Sequence, residues 1–209
     1  LPVNLPECEV SKSEVISYFT ALKTSLRKGG RALGYYDAKF TSGGKTVDGC
    51  WNLTLDIQPG NPIRVVRQYI EVLGAGSNEQ QFRDAMKAPP YQQNDILNHQ
   101  FYDEFKTRLT ETADTLGYLD AVYEQKSVSV DPLAFEASVN LVMNTGPRYT
   151  FGDVTIEQNV VGDDLVKRFI SITPGTAFST DKVIKQQQAF QRSGYYSVVD
   201  IDVDIKNAK

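Results

Sequence analysis

Apolar and polar positions follow two rhythms along this chain, and the rhythms take turns. Phe19, Leu22, Leu26 and Leu33 fall on one helical face, and the pattern stops at Gly34. After the glycine the period becomes two: Tyr36, Ala38 and Phe40 alternate with Asp37 and Lys39. The succession then recurs. Tyr102, Phe105, Leu109 and Leu116 stand at identical offsets from Gly117, and Leu119, Ala121 and Tyr123 alternate with Asp120 and Val122. A third copy is looser. Val183, Ile184 and Phe190 form a phase-shifted stripe before Gly194, and Val199, Ile201, Val203 and Ile205 alternate with Asp200, Asp202 and Asp204. The three glycines are 83 and 77 residues apart, so the chain reads as one unit used more than once.

Gly34, Gly117 and Gly194 have a backbone role in this reading, because a helix turning into a strand needs a left-handed residue just past its end. The stretch Thr41–Thr46, with Gly43 and Gly44, and the stretch around Asp131 and Pro132 predict turns; each leads to a further strand, Gly49–Ile57 and Phe135–Met143. Gly/Pro turns follow, then new strands at Ile63–Val72 and Tyr149–Glu157, then short helices near Asn78–Met86 and Gly162–Ser171. The full order is strand, helix, helix, strand, strand, which predicts an α+β fold. Three units follow: 1–59, lacking its first strand and first helix; 60–145, complete; and 146–209, lacking its last strand.

Composition narrows the function. Hydrophobic residues make up 41% of the 209, an ordinary globular proportion. The formal net charge of -4 leaves no basic surplus for a phosphate backbone, so nucleic acid is not expected as a partner. No apolar run is long enough for a transmembrane helix, and no signal-peptide pattern begins at Leu1. Cys8 and Cys50 lack neighbours at metal-ligand spacing; they fit either two thiols in a reducing compartment or one bridge in an oxidising one.

Chemical motifs are weak. Gly74 and Gly76 fit the start of a dinucleotide fingerprint, but Glu79 stands where the third glycine belongs. The Ser42–Thr46 stretch resembles the end of a phosphate loop, with Lys39 in place of its first glycine. His99 is the only histidine and reads as a solvated residue, which leaves acid–base triads unsupported. Asp200, Asp202 and Asp204 share one strand face without the rest of a calcium loop. Trp51 and the tyrosine pairs read as packing residues. No cofactor and no catalytic activity is expected.

The repeated unit resembles the POTRA (polypeptide-transport-associated) domain, which occurs in tandem before the barrel of Omp85-type outer-membrane assembly proteins. "RALGYYDAKF" (Arg31–Phe40) and "GPRYTFGDVTIEQ" (Gly146–Gln158) are most similar to the TamA group within that superfamily. Barrel sequence is not present here, so the chain is expected to be an excised periplasmic segment.

The resemblance implies units with a three-stranded mixed sheet packed on two helices, and contact rather than catalysis, at the periplasmic face of the bacterial outer membrane. It implies a TamB-like inner-membrane partner, nascent outer-membrane or autotransporter proteins as substrates, and a covalently linked barrel. Binding would proceed by β-augmentation, in which an exposed edge strand offers unpaired N–H and C=O groups to an incoming segment. In this family the second strand of a unit lies at a sheet edge. That implies partner-binding edges at Tyr36, Asp37, Ala38, Lys39 and Phe40; at Tyr118, Leu119, Asp120, Ala121 and Val122; and at Val198, Val199, Asp200 and Ile201. The oxidising periplasm further implies a Cys8–Cys50 disulfide.

Overall fold

The structure is a computed structural model and describes Cys8 and residues 10–204. Among these residues ten elements follow one another: α1 Lys12–Ala32, β1 Lys39–Val47, β2 Cys50–Gln58, β3 Arg64–Leu73, α2 Gln80–Met86, α3 His99–Leu116, β4 Val122–Asp131, β5 Glu136–Asn144, α4 Asp163–Phe169 and α5 Thr180–Arg192. The expected order of helix, helix, strand, strand after a lead-in strand is complete from β3 to β5. Packing divides the chain into two compact units. One holds Leu1–Tyr69, Pro90–Phe105 and Ser127–Asn140; the other holds Ile70–Pro89, Lys106–Lys126 and Leu141–Lys209.

In the first unit, α1 opens with a capping box. Ser11 Oγ accepts from the Glu14 amide at 3.3 Å, and Glu14 Oε2 accepts from the Ser11 amide at 2.7 Å. Val15 and Phe19 are buried, whereas Leu22 and Leu26 are only half-buried and Leu33 is exposed. β1 and β2 pair antiparallel, with Val47 opposite Cys50. The connection is therefore Asp48–Gly49, whose φ values of 50° and 75° suit a two-residue hairpin turn. This corrects the expected turn at Gly43–Gly44. Both glycines lie inside β1, opposite Thr54 and Leu53. Asp-Gly fixes the loop because both of its central residues must take positive φ.

β3, β5 and β4 form the three-stranded sheet, with β5 in the centre. The Arg64 amide donates to the Phe135 carbonyl and the Thr145 amide to the Leu73 carbonyl, both at 2.9 Å. Start meets start and end meets end, so β3 runs parallel to β5, while the Pro132–Phe135 turn brings β4 back beside β5. The central strand is the buried one: Ala137, Val139, Leu141, Val142 and Met143 are at most 4% exposed. On α3, Tyr102, Phe105, Leu109, Ala113 and Leu116 are buried, which realises the helical stripe.

In the second unit, Gln186 of α5 is the buried polar residue that ties α4 to α5. Its Oε1 accepts from the Ser171 amide and hydroxyl at 2.6 and 2.9 Å, and its Nε2 donates to the Phe169 carbonyl at 2.8 Å. The strands expected at Tyr149–Glu157 and at Val198–Val203 do not form among the described residues, apart from an isolated Thr150–Ala177 bridge. Val198, Val199, Asp200 and Ile201 are thus not in a strand, and Ile205 lies outside the described residues. The sheet order explains why. A lead-in strand and a second strand are not neighbours in β3-β5-β4; they meet only through the central third strand. Among the described residues no counterpart of β5 pairs with either segment, so their alternating side chains have no ladder to join.

Candidate functional site

The repeated glycines do more than end helices. At Gly34 and Gly117 φ is 88° and 87°, and the following amides close the helix backwards, Tyr35 to the Gly30 carbonyl at 2.8 Å and Tyr118 to the Ala113 carbonyl at 2.9 Å. Each glycine carbonyl then turns outward and accepts from a later segment. The Ile63 amide donates to Gly34 and the Tyr149 amide to Gly117, each at 2.8 Å. The same later residues pair on their other side: Leu97 N–H donates to the Ile63 carbonyl and Phe178 N–H to the Tyr149 carbonyl, each at 2.9 Å. A methyl added to Gly34 would overlap the Leu97 carbonyl oxygen, and one on Gly117 would lie 2.8 Å from that of Phe178. Glycine is required here twice over, for its conformation and for the backbone lying against it.

Each junction has a second glycine. Gly60 and Gly146 also take positive φ, 75° and 63°, and approach Asp37 and Asp120 respectively. This locates the first two expected edges more narrowly. Asp37 sits against Gly60, and Tyr118–Ala121 close a turn through a 3.1 Å bond from the Ala121 amide to the Tyr118 carbonyl. Only Lys39 and Phe40 of the first set belong to β1, and only Val122 of the second belongs to β4. Tyr36, Asp37, Ala38, Tyr118, Leu119, Asp120 and Ala121 lie in the junctions instead. The expectation misplaced them because alternation continues across a turn that the chain makes for packing.

The second junction carries a polar latch. Arg148 donates through Nη1 to Glu79 Oε1 at 2.9 Å and through Nε to the Leu116 carbonyl at 2.7 Å. Tyr118 donates its hydroxyl to the same Glu79 oxygen at 3.0 Å, and the guanidinium lies 5.7 Å from the Tyr118 ring centroid. Burial, and then the bond to the Glu79 carboxylate, push the Tyr118 hydroxyl above its ordinary pKa, with Arg148 opposing. The residue that spoils the dinucleotide pattern is thus the one that anchors Arg148. The loop itself is filled: Gly76 N–H donates to Thr145 Oγ1 at 2.9 Å, and a methyl on Gly76 would sit within 3.1 Å of Thr145, Tyr118 and Phe82. The first junction uses other chemistry, a 2.8 Å bond between Tyr36 Oη and His99 Nε2. His99 is half-buried and partnered, not simply solvated. In the sequence Glu79 stands out only as a misfit and Arg148 only as part of the Gly146–Gln158 stretch; Thr145 gives no signal.

Cys8 and Cys50 are joined in a disulfide, which fastens the chain ahead of α1 to the start of β2. Beside it Trp51 Nε1 donates to the Val10 carbonyl at 2.9 Å. Among the described residues no group of three or more His, Cys, Asp or Glu is placed to hold a metal, and no helix is long and apolar enough to cross a membrane. Among the described residues the outermost strands are β1 and β2 in the two-stranded sheet, and β3 and β4 in the three-stranded one; the start of β3 is covered on its outer side, where the Val65 amide donates to the Asp95 carbonyl and the Asn94 amide to the Val65 carbonyl, each at 2.9 Å. β4 is ten residues long, and no residue of it is fully buried.

The class defined by these features is a tandem α+β repeat whose units join through backbone at a glycine-ended helix. Residues 149–209 match the POTRA family, described as a surface antigen variable number repeat. Among solved structures, the chain is similar to POTRA domains 3–5 of BamA from Haemophilus influenzae, at 18% identity over 88% of this chain and 72% of that one, with a TM-score of 0.48. It is also similar to POTRA domains 1–3 of Omp85 from Anabaena (17% identity, 93% and 76% covered, TM-score 0.31). The N-terminal domain of Omp85 from Thermosynechococcus elongatus matches at 15% identity, with 92% and 77% covered and a TM-score of 0.32.

Proposed function

We propose that this chain is a periplasmic protein-docking segment of an Omp85-type outer-membrane assembly protein of the TamA group. Three POTRA units, 1–59, 60–145 and 146–209, make it up. It binds a TamB-like inner-membrane protein and nascent outer-membrane or autotransporter chains, and it precedes a barrel. It acts by contact and not by catalysis. The observation that carries this reading is the POTRA match over residues 149–209, in a chain that repeats the same helix–glycine–strand order twice before it.

Binding proceeds by strand addition at an exposed edge, and β4 is the best placed: long, outermost in its sheet, and extended from Val122 to Asp131. Lys126 and the serines Ser127 and Ser129 keep it polar, which suits reversible pairing with an extended chain. The β1 edge, beginning at Lys39 and Phe40, is the second candidate. Photo-crosslinkers placed singly at Lys39 in β1 and at Glu124, Lys126 and Ser129 in β4 of the full-length protein in cells test this. Crosslinks to an unfolded outer-membrane chain or to an inner-membrane partner are expected from β4, and from Lys39 if β1 is used. Crosslinks from neither edge would sink augmentation as the mode of binding. A related POTRA region, from another Omp85 member or a two-partner-secretion transporter, would show the same edge with different captured proteins. The nucleotide-enzyme reading of Gly74 and Gly76 is disfavoured because Thr145 already takes the Gly76 amide that a phosphate would need.

A further inference from the structure

Three helices end at a left-handed glycine, with φ values of 88°, 87° and 75° at Gly34, Gly117 and Gly194. Two of these ends are covered in the same way. A lead-in segment donates an amide to the glycine carbonyl, and a second backbone segment closes over the α-carbon. At Gly117 the covering segment also reads the helix end, through Arg148 on the Leu116 carbonyl and Thr180 Oγ1 on the Asp114 carbonyl at 3.1 Å. Gly194 is the exception. Among the described residues a methyl added there meets nothing within 4 Å, and no hydrogen bond reaches its carbonyl. Its helix is closed differently, by the Ser193 hydroxyl on the Phe190 carbonyl at 2.6 Å. That closure leaves the outward face of the glycine free, and the neighbouring Tyr195 is 47% exposed.

We infer that Gly194 is an uncovered copy of the junction, and that it takes the extended lead-in backbone of a further folded element. The chemistry follows from the two covered copies. The last carbonyls of a helix have no intrahelical donor and carry the negative end of the helix dipole. The fitting ligand is therefore an extended segment with a free amide, and at the Gly117 copy a cationic side chain stands just before it, whereas Pro62 precedes the donating Ile63 at Gly34. Gly146–Tyr149 has this form, with Arg148 ahead of the donating Tyr149 amide. A glycine at position 194 lets that backbone come into contact where any Cβ would hold it off. The inference does not depend on which outer-membrane substrates the chain binds, since it concerns how the array is extended.

The covering segments at Gly34 and Gly117 are covalently linked to the helices they cover, so a linked probe is the right one. The chain is extended at Lys209 by a flexible Gly/Ser linker of about 20 residues, ample for a short span. The linker carries a second copy of residues 146–153. The readout is amide exchange at the tyrosine of the appended copy, with NMR shifts at Ser193–Tyr196. Exchange at least roughly tenfold slower than in the free peptide is expected, with shifts confined to the end of α5. Two controls decide the mechanism. Proline in place of the appended tyrosine removes the donor, and Gly194→Asn keeps a left-handed residue but fills the space. Both are expected to abolish the protection and the shifts. Protection that survives either control, or no protection in the unaltered version, overturns the inference.

Discussion

At the scale of single residues, the recurring glycine separates two demands that sequence merges. All three positions need positive φ, so Gly→Ala at any of them costs about 1–2 kcal/mol from the left-handed backbone alone. At Gly34 and Gly117 the new methyl also meets a carbonyl oxygen, which adds an overpacking cost on the order of 1–3 kcal/mol. Urea unfolding of Gly34→Ala, Gly117→Ala and Gly194→Ala is therefore expected to rank the first two well below the third. Equal losses would mean that the close backbone approach is not energetically significant. A second residue, Tyr91, sets the alkaline limit. It is buried and donates its hydroxyl to the Asn98 carbonyl, and burial pushes its pKa up to about 12. The folded state thus prefers the neutral phenol. The stability so linked is intact below about pH 10, the ordinary tyrosine value, and is lost as pH rises toward 12. Tyr91→Phe is expected to flatten the fall in urea midpoint between pH 10 and 11.5, although it loses one hydrogen bond worth about 1 kcal/mol at neutral pH. An unchanged slope would place the alkaline sensitivity on another tyrosine: Tyr36, Tyr102 or Tyr118, whose pKa values burial also raises, or Tyr149, raised by its bond to Asp120.

At the scale of elements, the β1–β2 hairpin has the least support. Its sheet has two strands, and an isolated two-stranded hairpin is marginal in water. Leu53 and Leu55 are only half-buried, whereas five of the nine residues of the corresponding strand β5, which lies between two neighbours, are buried. The Cys8–Cys50 disulfide, spanning 42 residues, offsets this by about 4 kcal/mol in the chain-entropy model. Reduction is expected to lower the melting point seen by fluorescence of Trp51, which lies beside the bridge, without comparable loss of protection in β5. If reduction leaves the Trp51 transition unmoved, the bridge is incidental to the hairpin. Helices and their stop glycines are legible in the sequence, because a four-position apolar stripe ending at glycine fits a capped helix and little else. Strand starts are not. Tyr36–Ala38 and Tyr118–Ala121 alternate like strands, yet they are used to turn the chain past Gly60 and Gly146. The alternation from Val198 onward reads as a strand for the same reason. Alternation shows which face a segment would bury, but only a neighbouring strand makes it a ladder.

At the scale of the whole molecule, repeat boundaries and packing boundaries fall in different places. The sequence period suggests cuts after residues 59 and 145, in Gly/Pro turns where linkers usually lie. The compact units instead each gather one junction: Gly34, Ile63 and Leu97 lie in the first, and Gly117, Tyr149 and Phe178 in the second. Ile63 and Leu97 are completely buried, and the Ile63 amide has its acceptor at Gly34. A fragment of residues 60–145, cut by the repeat, keeps β3, β5 and β4 but loses that acceptor and the residues around it. Its sheet is expected to form, because all three strands and both helices are present. Amide exchange at Ile63, Val65 and Leu97 is expected to accelerate by more than roughly tenfold relative to the whole chain, while Leu141 and Val142 in β5 keep most of their protection. Uniform protection across the fragment would show that the repeat is self-sufficient and that the junctions only orient it. Selective loss would show that each repeat relies on its predecessor's helix end for part of its own core. The repeating glycine would then be a requirement of stability as well as of geometry.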